Sequence, residues 1–339
     1  MPDLTKLLSS QVTPGDDAAK VLLREWVRRT RRCLKRVVKR PGNDPEDVHQ
    51  LRVATRRLAI CLSMFKSCIP GAQHRAMKKA SKGLRQASAE ARDADVLRDY
   101  LERHIESGHN SRNEVSGLQK ELKGRQKRAY KVLKQQIEKP ADRFAKAAKA
   151  LSRNIQKRGR SQSPAPSVGN LTAEALAKRL SNFLAAANGD LEDLEQLHAL
   201  RISGKRLRYT VEIAKAWQSC DIADDLVDRL EAMQTQLGEI NDLRNLITAA
   251  EALLTGKPEP AAPGQHGDSL ATAVERWRSE MSDAMIHFLQ AFDAEDLNVI
   301  HLSVRRMMAD TGHVGVVPEV APGKPRGHEP IEAGGALRS

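Results

Sequence analysis

Two stretches of this 339-residue chain combine a histidine with regularly spaced cations. In His49-Gln50-Leu51-Arg52-Val53-Ala54-Thr55-Arg56-Arg57-Leu58, arginine follows the histidine at helical spacing. With His49 set at 0° on a helix of about 100° per residue, Arg52 and Arg56 fall at about 300° and 340°, opposite Leu51 and Leu58 at about 200° and 180°. The stretch His198-Ala199-Leu200-Arg201-Ile202-Ser203-Gly204-Lys205-Arg206-Leu207 repeats the pattern: His198, Arg201, Lys205 and Arg208 share one face, and Leu200, Leu207 and Val211 the other. Such a face suits phosphate oxygens. Arginine offers a planar fork of donors and lysine a mobile point charge. Neutral histidine donates one N–H and becomes cationic when a nearby anion raises its pKa. Neither stretch pairs a nucleophile with a base. Like charges three and four apart on a helix repel by a few tenths of a kcal/mol, about 0.2–0.5 per pair. Stability alone therefore gives no reason to place the cluster twice, whereas a bound polyanion does.

The two stretches lie 149 residues apart and align without a gap, and the same offset carries Arg92-Asp93 onto Asn241-Asp242 and Glu90 onto Glu239. An internal duplication accounts for this, and it predicts two halves of about four helices each, arranged as bundles around a pseudo-two-fold axis. Equivalent helices would then face each other and bring His49 and His198 to one surface. Two further basic stripes follow helical spacing: Arg28, Arg32, Lys35 and Lys39, and Lys78, Lys82, Arg85 and Arg92. The second half answers Lys82, Arg85 and Arg92 with Glu231, Gln234 and Asn241, so a shared site would be more basic on its N-terminal side. Asp93 and Asp242 read as orienting partners for neighbouring basic groups rather than as catalysts. Asp93 and Asp95 without further ligands make no metal site, and no cofactor is implied.

Lys plus Arg exceed Asp plus Glu by 56 − 43 = 13. That excess points to a polyanionic partner: nucleic acid, an anionic membrane surface or a phosphate polymer. Aromatic residues make up only 3% of the chain, which disfavours binding of single strands by base stacking. Cys33, Cys61, Cys68 and Cys220 form no C-x-x-C pair and sit in apolar helical patterns, as expected of small hydrophobes in a reducing cytosol. No secretory signal or apolar run of membrane-spanning length occurs, so a soluble intracellular protein is expected.

The elements that must position these residues are helices. Prolines bound long stretches rich in strong helix formers, and within them apolar residues recur at three and four, as in Leu23, Trp26, Val27, Thr30 and Leu34. The expected class is all-α, with helices near 17–40, 46–69, 73–107, 111–138, 141–157, 171–188, 191–217, 221–255, 268–294 and 296–311. Asp44-Pro45 supplies an N-cap followed by proline at the first helical position, and Gly189-Asp190 marks a stop followed by a start. A leader over 1–17, an N-terminal half over 18–150, a linker over 157–170, a C-terminal half over 171–311 and a disordered Gly- and Pro-rich tail over 312–339 complete the expected organisation. Gly204 stands out inside the second motif helix, where glycine costs about 0.8–1.0 kcal/mol relative to alanine; close approach of another helix or of a ligand would explain it.

The segments Val48-His49-Gln50-Leu51-Arg52-Val53-Ala54-Thr55-Arg56-Arg57-Leu58, Ala91-Arg92-Asp93-Ala94-Asp95-Val96, Leu197-His198 through Arg208-Tyr209, and Leu237-Gly238-Glu239-Ile240-Asn241-Asp242 together resemble the conserved histidine α-helical domain family, CHAD, over roughly residues 18–311. The resemblance implies two four-helix halves around a pseudo-two-fold, with a central basic groove or pore that binds inorganic polyphosphate without turnover. By position it makes His49, Arg52, Arg56, Arg57, His198, Arg201, Lys205, Arg206 and Arg208 phosphate contacts and Arg92 a further one. Arg28, Arg32, Lys35, Lys78, Lys82 and Arg85 are additional candidates if their stripes line the same site. Some relatives fuse this domain to a triphosphate-processing module, for which this chain is expected to lack room. The expected protein is a non-enzymatic, cytoplasmic polyphosphate binder associated with polyphosphate granules. The competing readings are a helical nucleic-acid-binding protein, which the charge permits but no recognition motif supports, and a phosphate-chain enzyme using His49 or His198 as phosphoacceptor, which lacks a G-x-x-x-x-G-K-[ST] loop and a carboxylate cluster for Mg²⁺.

Overall fold

The structure, a computed structural model, describes residues 13–42, 44–157, 166–218, 221–256 and 267–311. Among these residues the chain forms eleven α-helices: α1 (Gly15–Lys39), α2 (Pro45–Met64), α3 (Gly71–Ala87), α4 (Ala89–Glu106), α5 (Ser116–Gln136), α6 (Glu138–Lys157), α7 (Val168–Ala187), α8 (Leu194–Ala214), α9 (Asp221–Thr255), α10 (Gly267–Ala291) and α11 (Ala294–Ala309). They include no β-strand, and none of the helices is long and apolar enough to cross a membrane. The all-α expectation holds. The ten expected helices become eleven because the one expected over 73–107 is broken in two, and each half holds more than the four helices of a simple bundle.

The motif helices start where side chains can cap them. Asp44 accepts a hydrogen bond from the Glu46 backbone N–H ahead of Pro45, and Asp193, 149 positions later, accepts one from Glu195. The second helix therefore begins at Leu194 rather than at 191, because Asp190 first holds a separate turn by accepting from the Glu192 N–H. The predicted helix over 73–107 is interrupted at Ser88, which is fully buried and donates its hydroxyl to the carbonyls of Leu84 (2.9 Å) and Arg85 (3.3 Å). A serine hydroxyl competing for helix carbonyls favours such a break. The equivalent position in the continuous α9 is Leu237. Part of the predicted linker, from Val168 onward, is already α7, tied at its start to the chain entering α1 by the bond from the Gly15 N–H to the Pro166 carbonyl (2.9 Å). Most of the predicted leader, the linker residues 158–165, Cys220 and the tail over 312–339 lie outside the described residues.

The burial pattern repeats along with the motif. Val48, Leu51, Leu58, Leu62 and Met64 of α2 are buried, as are Leu197, Leu200, Leu207, Val211 and Ile213 at the same offset in α8. In the next pair the register changes. Leu118, Leu122, Ala129 and Leu133 of α5 match Leu270, Val274, Met281 and Met285 of α10 only if the offset grows from 149 to 152, so the ungapped alignment ends after α4.

Helix α2 packs against α1, α3 and α4, and α8 against α7 and α9. Between the halves α2 meets both α7 and α8, α4 and α5 meet α9, and α1 meets α7. One continuous apolar cluster contains residues of both halves, with Phe65, Phe144, Phe183, Trp277 and Phe288 fully buried and Cys33, Cys61 and Cys68 lying within it. Phe65 meets Trp217 edge to face at 6.5 Å, and the Trp277 indole N–H donates to Asn110 (3.0 Å). Gly204 is explained here: a Cβ at this position would stand 2.5 Å from Cε of Met233 on α9 and 3.6 Å from the Phe183 ring on α7, so the glycine serves close helix packing.

Because Leu200 is 0% exposed while Leu302 is 53% exposed, Leu200→Ala is expected to lower unfolding free energy by about 2–5 kcal/mol and Leu302→Ala by no more than about 0.5 kcal/mol. Urea titration followed by circular dichroism reads both; equal effects would mean that the motif face was assigned wrongly.

Candidate functional site

The caps fix where α2 and α8 begin, their leucines fix which side is buried, and the basic face that remains is directed between helices. Arg52 is half-buried, and one of its terminal nitrogens donates to the Arg85 carbonyl (2.7 Å). Arg85 returns the bond, donating to the Thr55 carbonyl (3.0 Å). The break at Ser88 lies just beyond, so α2 and α3 are cross-linked by two arginines bonded to backbone rather than to carboxylates. Burial holds both guanidinium groups below their ordinary pKa, with Arg56 adding repulsion to each.

Arg56 is the meeting point. It lies in electrostatic reach of His49, Arg52 and Arg85 from its own half and of Arg201 and Lys205 on α8. Arg201 is lowered by burial and Arg56, against the opposing pull of Asp242. Lys205 is pushed down to about 7, first by burial and then by Arg201, Arg56 and Arg208, with Asp242 on α9 opposing. Asp242 is itself buried enough to be raised, accepts a weak bond from the Asn241 amide (3.3 Å), and feels Arg201, Arg103 and Lys205. Among the described residues none of Arg56, Arg92, Arg201 and Lys205 forms an ion pair or a side-chain hydrogen bond. The Nε atoms of Arg52 and Arg201 are buried donors without an acceptor. Buried cations and donors left this way are costly unless an anion completes them.

The histidines behave differently. His49 is lowered by burial and by Arg92, Arg56 and Arg52, with Glu46 opposing. His198 instead meets Asn241, its Nδ1 3.3 Å from the amide oxygen. At the position equivalent to Arg92, whose charge acts on His49, the second half thus places a neutral amide that meets the histidine directly. No hydrogen bond joins His49 to His198 among the described residues; the groups that meet across the halves are arginine and lysine. A shallow recess at the second histidine is lined by His198, Arg201, Asn241 and Arg244. Arg244, which sequence reasoning missed, lies one turn beyond Asn241 on the same face of α9 and pairs with Glu195 (2.7 Å). That helical spacing was the available signal.

Other sequence candidates are placed elsewhere or are already neutralised. Arg57 bridges the halves: it pairs with Glu212 (2.6 Å), and its guanidinium lies over the rings of Trp26 (5.4 Å) and Tyr209 (5.7 Å). Arg208 is held by Glu231 (2.7 Å) and Glu212 (3.5 Å), which sustain its charge despite burial. Arg206 is exposed, beside Arg179 of α7. On α1, Arg28, Arg32 and Lys35 are exposed, Arg28 being paired with Glu25 (2.8 Å), and none is among the main electrostatic neighbours of the Arg56 cluster. Lys78 and Lys82 are exposed on α3 on the side that carries Arg85. No group of three His, Cys, Asp or Glu side chains suited to a metal ion occurs among the described residues.

The uncompensated charge has a stability signature. The native pKa of Lys205, about 7, lies below the ordinary lysine value of about 10.4. Between these values the unfolded chain binds the extra proton, so stability rises with pH across that window and the full penalty is present below it. Lys205→Met is therefore expected to stabilise the protein by about 2–4 kcal/mol at pH 6, with the gain shrinking towards pH 10. Chemical denaturation across pH tests this, and a pH-independent gain would show that Lys205 is not the source.

The CHAD domain family model matches residues 21–251, the span that contains both motif helices and the cluster around Arg56. An uncharacterized protein of Mycobacterium tuberculosis, found in two strains, is 25% identical over 255 residues, a match covering 70% of this chain and 47% of that protein. The chain thus spans about half the length of the curated relatives it matches. The crystal structure of the CHAD domain from the plant Ricinus communis superposes with a TM-score of 0.60 at 21% identity, over 87% of this chain and 93% of that one. PptA from Streptomyces chartreusis superposes with a TM-score of 0.56 at 20% identity, over 82% and 99%. These likenesses establish a shared fold, and with the motif-bearing span matched, the chain belongs to the CHAD domain family.

Proposed function

We propose that this protein binds inorganic polyphosphate, without turning it over, in a basic groove between two pseudo-symmetric helical halves. The observation that carries the reading is the group Arg56, Arg201 and Lys205: three basic side chains on helices of both halves, half-buried, with no ion-pair partner among the described residues. Arg52, Arg85, Arg92, His49 and His198 surround it. A phosphate chain supplies closely spaced anionic oxygens that can satisfy several fixed donors at once. The cluster offers forks and point charges but no activated nucleophile, which suits binding better than catalysis. The contacts of α2 with α8 and of α4 with α9 support a pseudo-two-fold arrangement, because each of these pairs joins equivalent helices. Association with polyphosphate granules in a cytoplasm would follow from such binding.

In this reading Arg57, Arg206 and Arg208 play other parts. Arg57 joins the halves through Glu212, Arg208 is held within the second half by Glu212 and Glu231, and Arg206 faces outward.

The combined variant Arg56→Ala, Arg201→Ala, Lys205→Ala is expected to lose at least about 100-fold in polyphosphate affinity, since each charge-assisted contact contributes about 1.5–3 kcal/mol. A competition titration against duplex DNA, single-stranded RNA and heparin at matched charge reads selectivity. Equal displacement by all of them would reduce the site to generic charge, and tighter binding of duplex DNA would favour a nucleic-acid-binding role.

Binding should also move a proton. Above pH 7 Lys205 is largely neutral in the free protein, and an adjoining phosphate raises its pKa. Polyphosphate binding at pH 8 is therefore expected to take up protons, and affinity should fall as pH rises beyond 7. Calorimetric heats that do not vary with buffer ionisation enthalpy would contradict this.

A further inference from the structure

Helix α5 carries a second basic feature that the buried cluster does not use. Lys120, Lys123, Lys127, Lys131 and Lys134 are all exposed. At about 100° per residue they fall within an arc of about 80° and extend for about 21 Å along the helix. The opposite side of α5 buries Leu118, Leu122, Ala129 and Leu133. None of the five lysines takes part in an ion pair among the described residues, where the nearby Glu121 is taken by Arg128 (2.6 Å).

The duplicated half provides an internal comparison. In the register set by burial, the equivalent positions of α10 are Thr272, Glu275, Ser279, Asp283 and Ile286. The fold thus builds the same helix without the lysines, and five like charges at three- and four-residue spacing weaken a helix by about 0.2–0.5 kcal/mol per pair. Folding gives no reason for the stripe.

Its position does. Gln126 and Tyr130 of α5 donate to the Asp95 carboxylate on α4 (2.7 and 2.8 Å), which fixes the rotation of α5 on α4. Tyr130 borders the stripe and lies within electrostatic reach of Arg92, at the edge of the buried cluster. A line of mobile point charges, bordered by a single tyrosine whose hydroxyl is committed to Asp95, suits a flexible phosphate backbone better than stacked bases.

We propose that the α5 lysine stripe is an exterior track for the part of a polyphosphate chain that emerges from the buried cluster past Arg92, so that the protein favours long chains over short ones. This rests on the polyphosphate reading of the cluster itself. The test is the variant Lys120→Gln, Lys123→Gln, Lys127→Gln, Lys131→Gln, Lys134→Gln, compared with the unaltered protein for tripolyphosphate, long-chain polyphosphate and duplex DNA over a range of salt. Glutamine keeps the helix and removes the repulsion, so the thermal midpoint should be unchanged or higher.

The expected result is tripolyphosphate affinity unchanged within about twofold, long-chain affinity reduced by about tenfold or more, and a salt slope for the long chain shallower by about 3.5, from roughly 0.7 for each of the five lost contacts. Undiminished long-chain binding would overturn the track. Loss of tripolyphosphate binding to the same extent would overturn it too, by making the stripe the primary site. A variant that loses only duplex DNA would assign the stripe to nucleic acid instead. Failure of the unaltered protein to bind either polyphosphate would instead refute the reading of the buried cluster, an outcome separable from the others because it does not involve the variant.

Discussion

Uncompensated positive charge where α2 meets α8 is the constraint on which the other features turn. Arg56, Arg201 and Lys205 are drawn partly out of water without carboxylate partners, and the chain tolerates this because the opposite faces of the same helices are anchored by fully buried leucines such as Leu51, Leu58, Leu200 and Leu207. Asp242 moderates the repulsion without cancelling it, being itself buried and within reach of three cations. Arg52 and Arg85 settle their own shortage of anions by donating to helix carbonyls across α2 and α3. The cluster is thus left open in charge with its donors already oriented, an arrangement that would lower the ordering cost of binding an anion there.

The two halves share a buried pattern but have divided their polar roles. Ala59 and Lys82 of the first half correspond to Arg208 and Glu231 of the second, which pair with each other. Arg85 corresponds to Gln234, and Arg92 to Asn241, the partner of His198. Each exchange removes a cation from the second half's wall or neutralises one, so the cluster is strongly basic on the N-terminal side and more hydrogen-bonded on the other. Arg57 and Glu212 show a different use of the same motif: a pair 155 positions apart that joins the halves, backed by Trp26 and Tyr209. A long phosphate chain lying across such a surface would meet most of its charge at one end.

Much of this was legible in the sequence. Apolar spacing and proline placement gave the helices, the offset of 149 revealed the repeat, and the assignment of His49, Arg52, Arg56, Arg201 and Lys205 to faces opposite the leucines agrees with burial. The break at Ser88 was hidden because a buried serine inside a strong helix pattern carries no local signal until its hydroxyl has carbonyls to bond. The shift to an offset of 152 in α5 and α10 was hidden because the motif that set the alignment ends in α4. Arg57 and Arg208 looked equivalent to the open cations because Glu212 and Glu231 are remote in sequence from at least one partner each.

The sequence by itself determined the class of fold, the repeated motif and the faces that would carry charge, since these follow from residue spacing along single helices, a local property. Only the tertiary structure decided which of those charges remain unpaired. Compensation depends on carboxylates and carbonyls brought from other helices, and electrostatic energy follows distance and burial in three dimensions rather than order along the chain. For that reason Arg56 and Arg57, adjacent in sequence, have separate fates: Arg57 is spent in joining the two halves, and Arg56 is left facing the cluster.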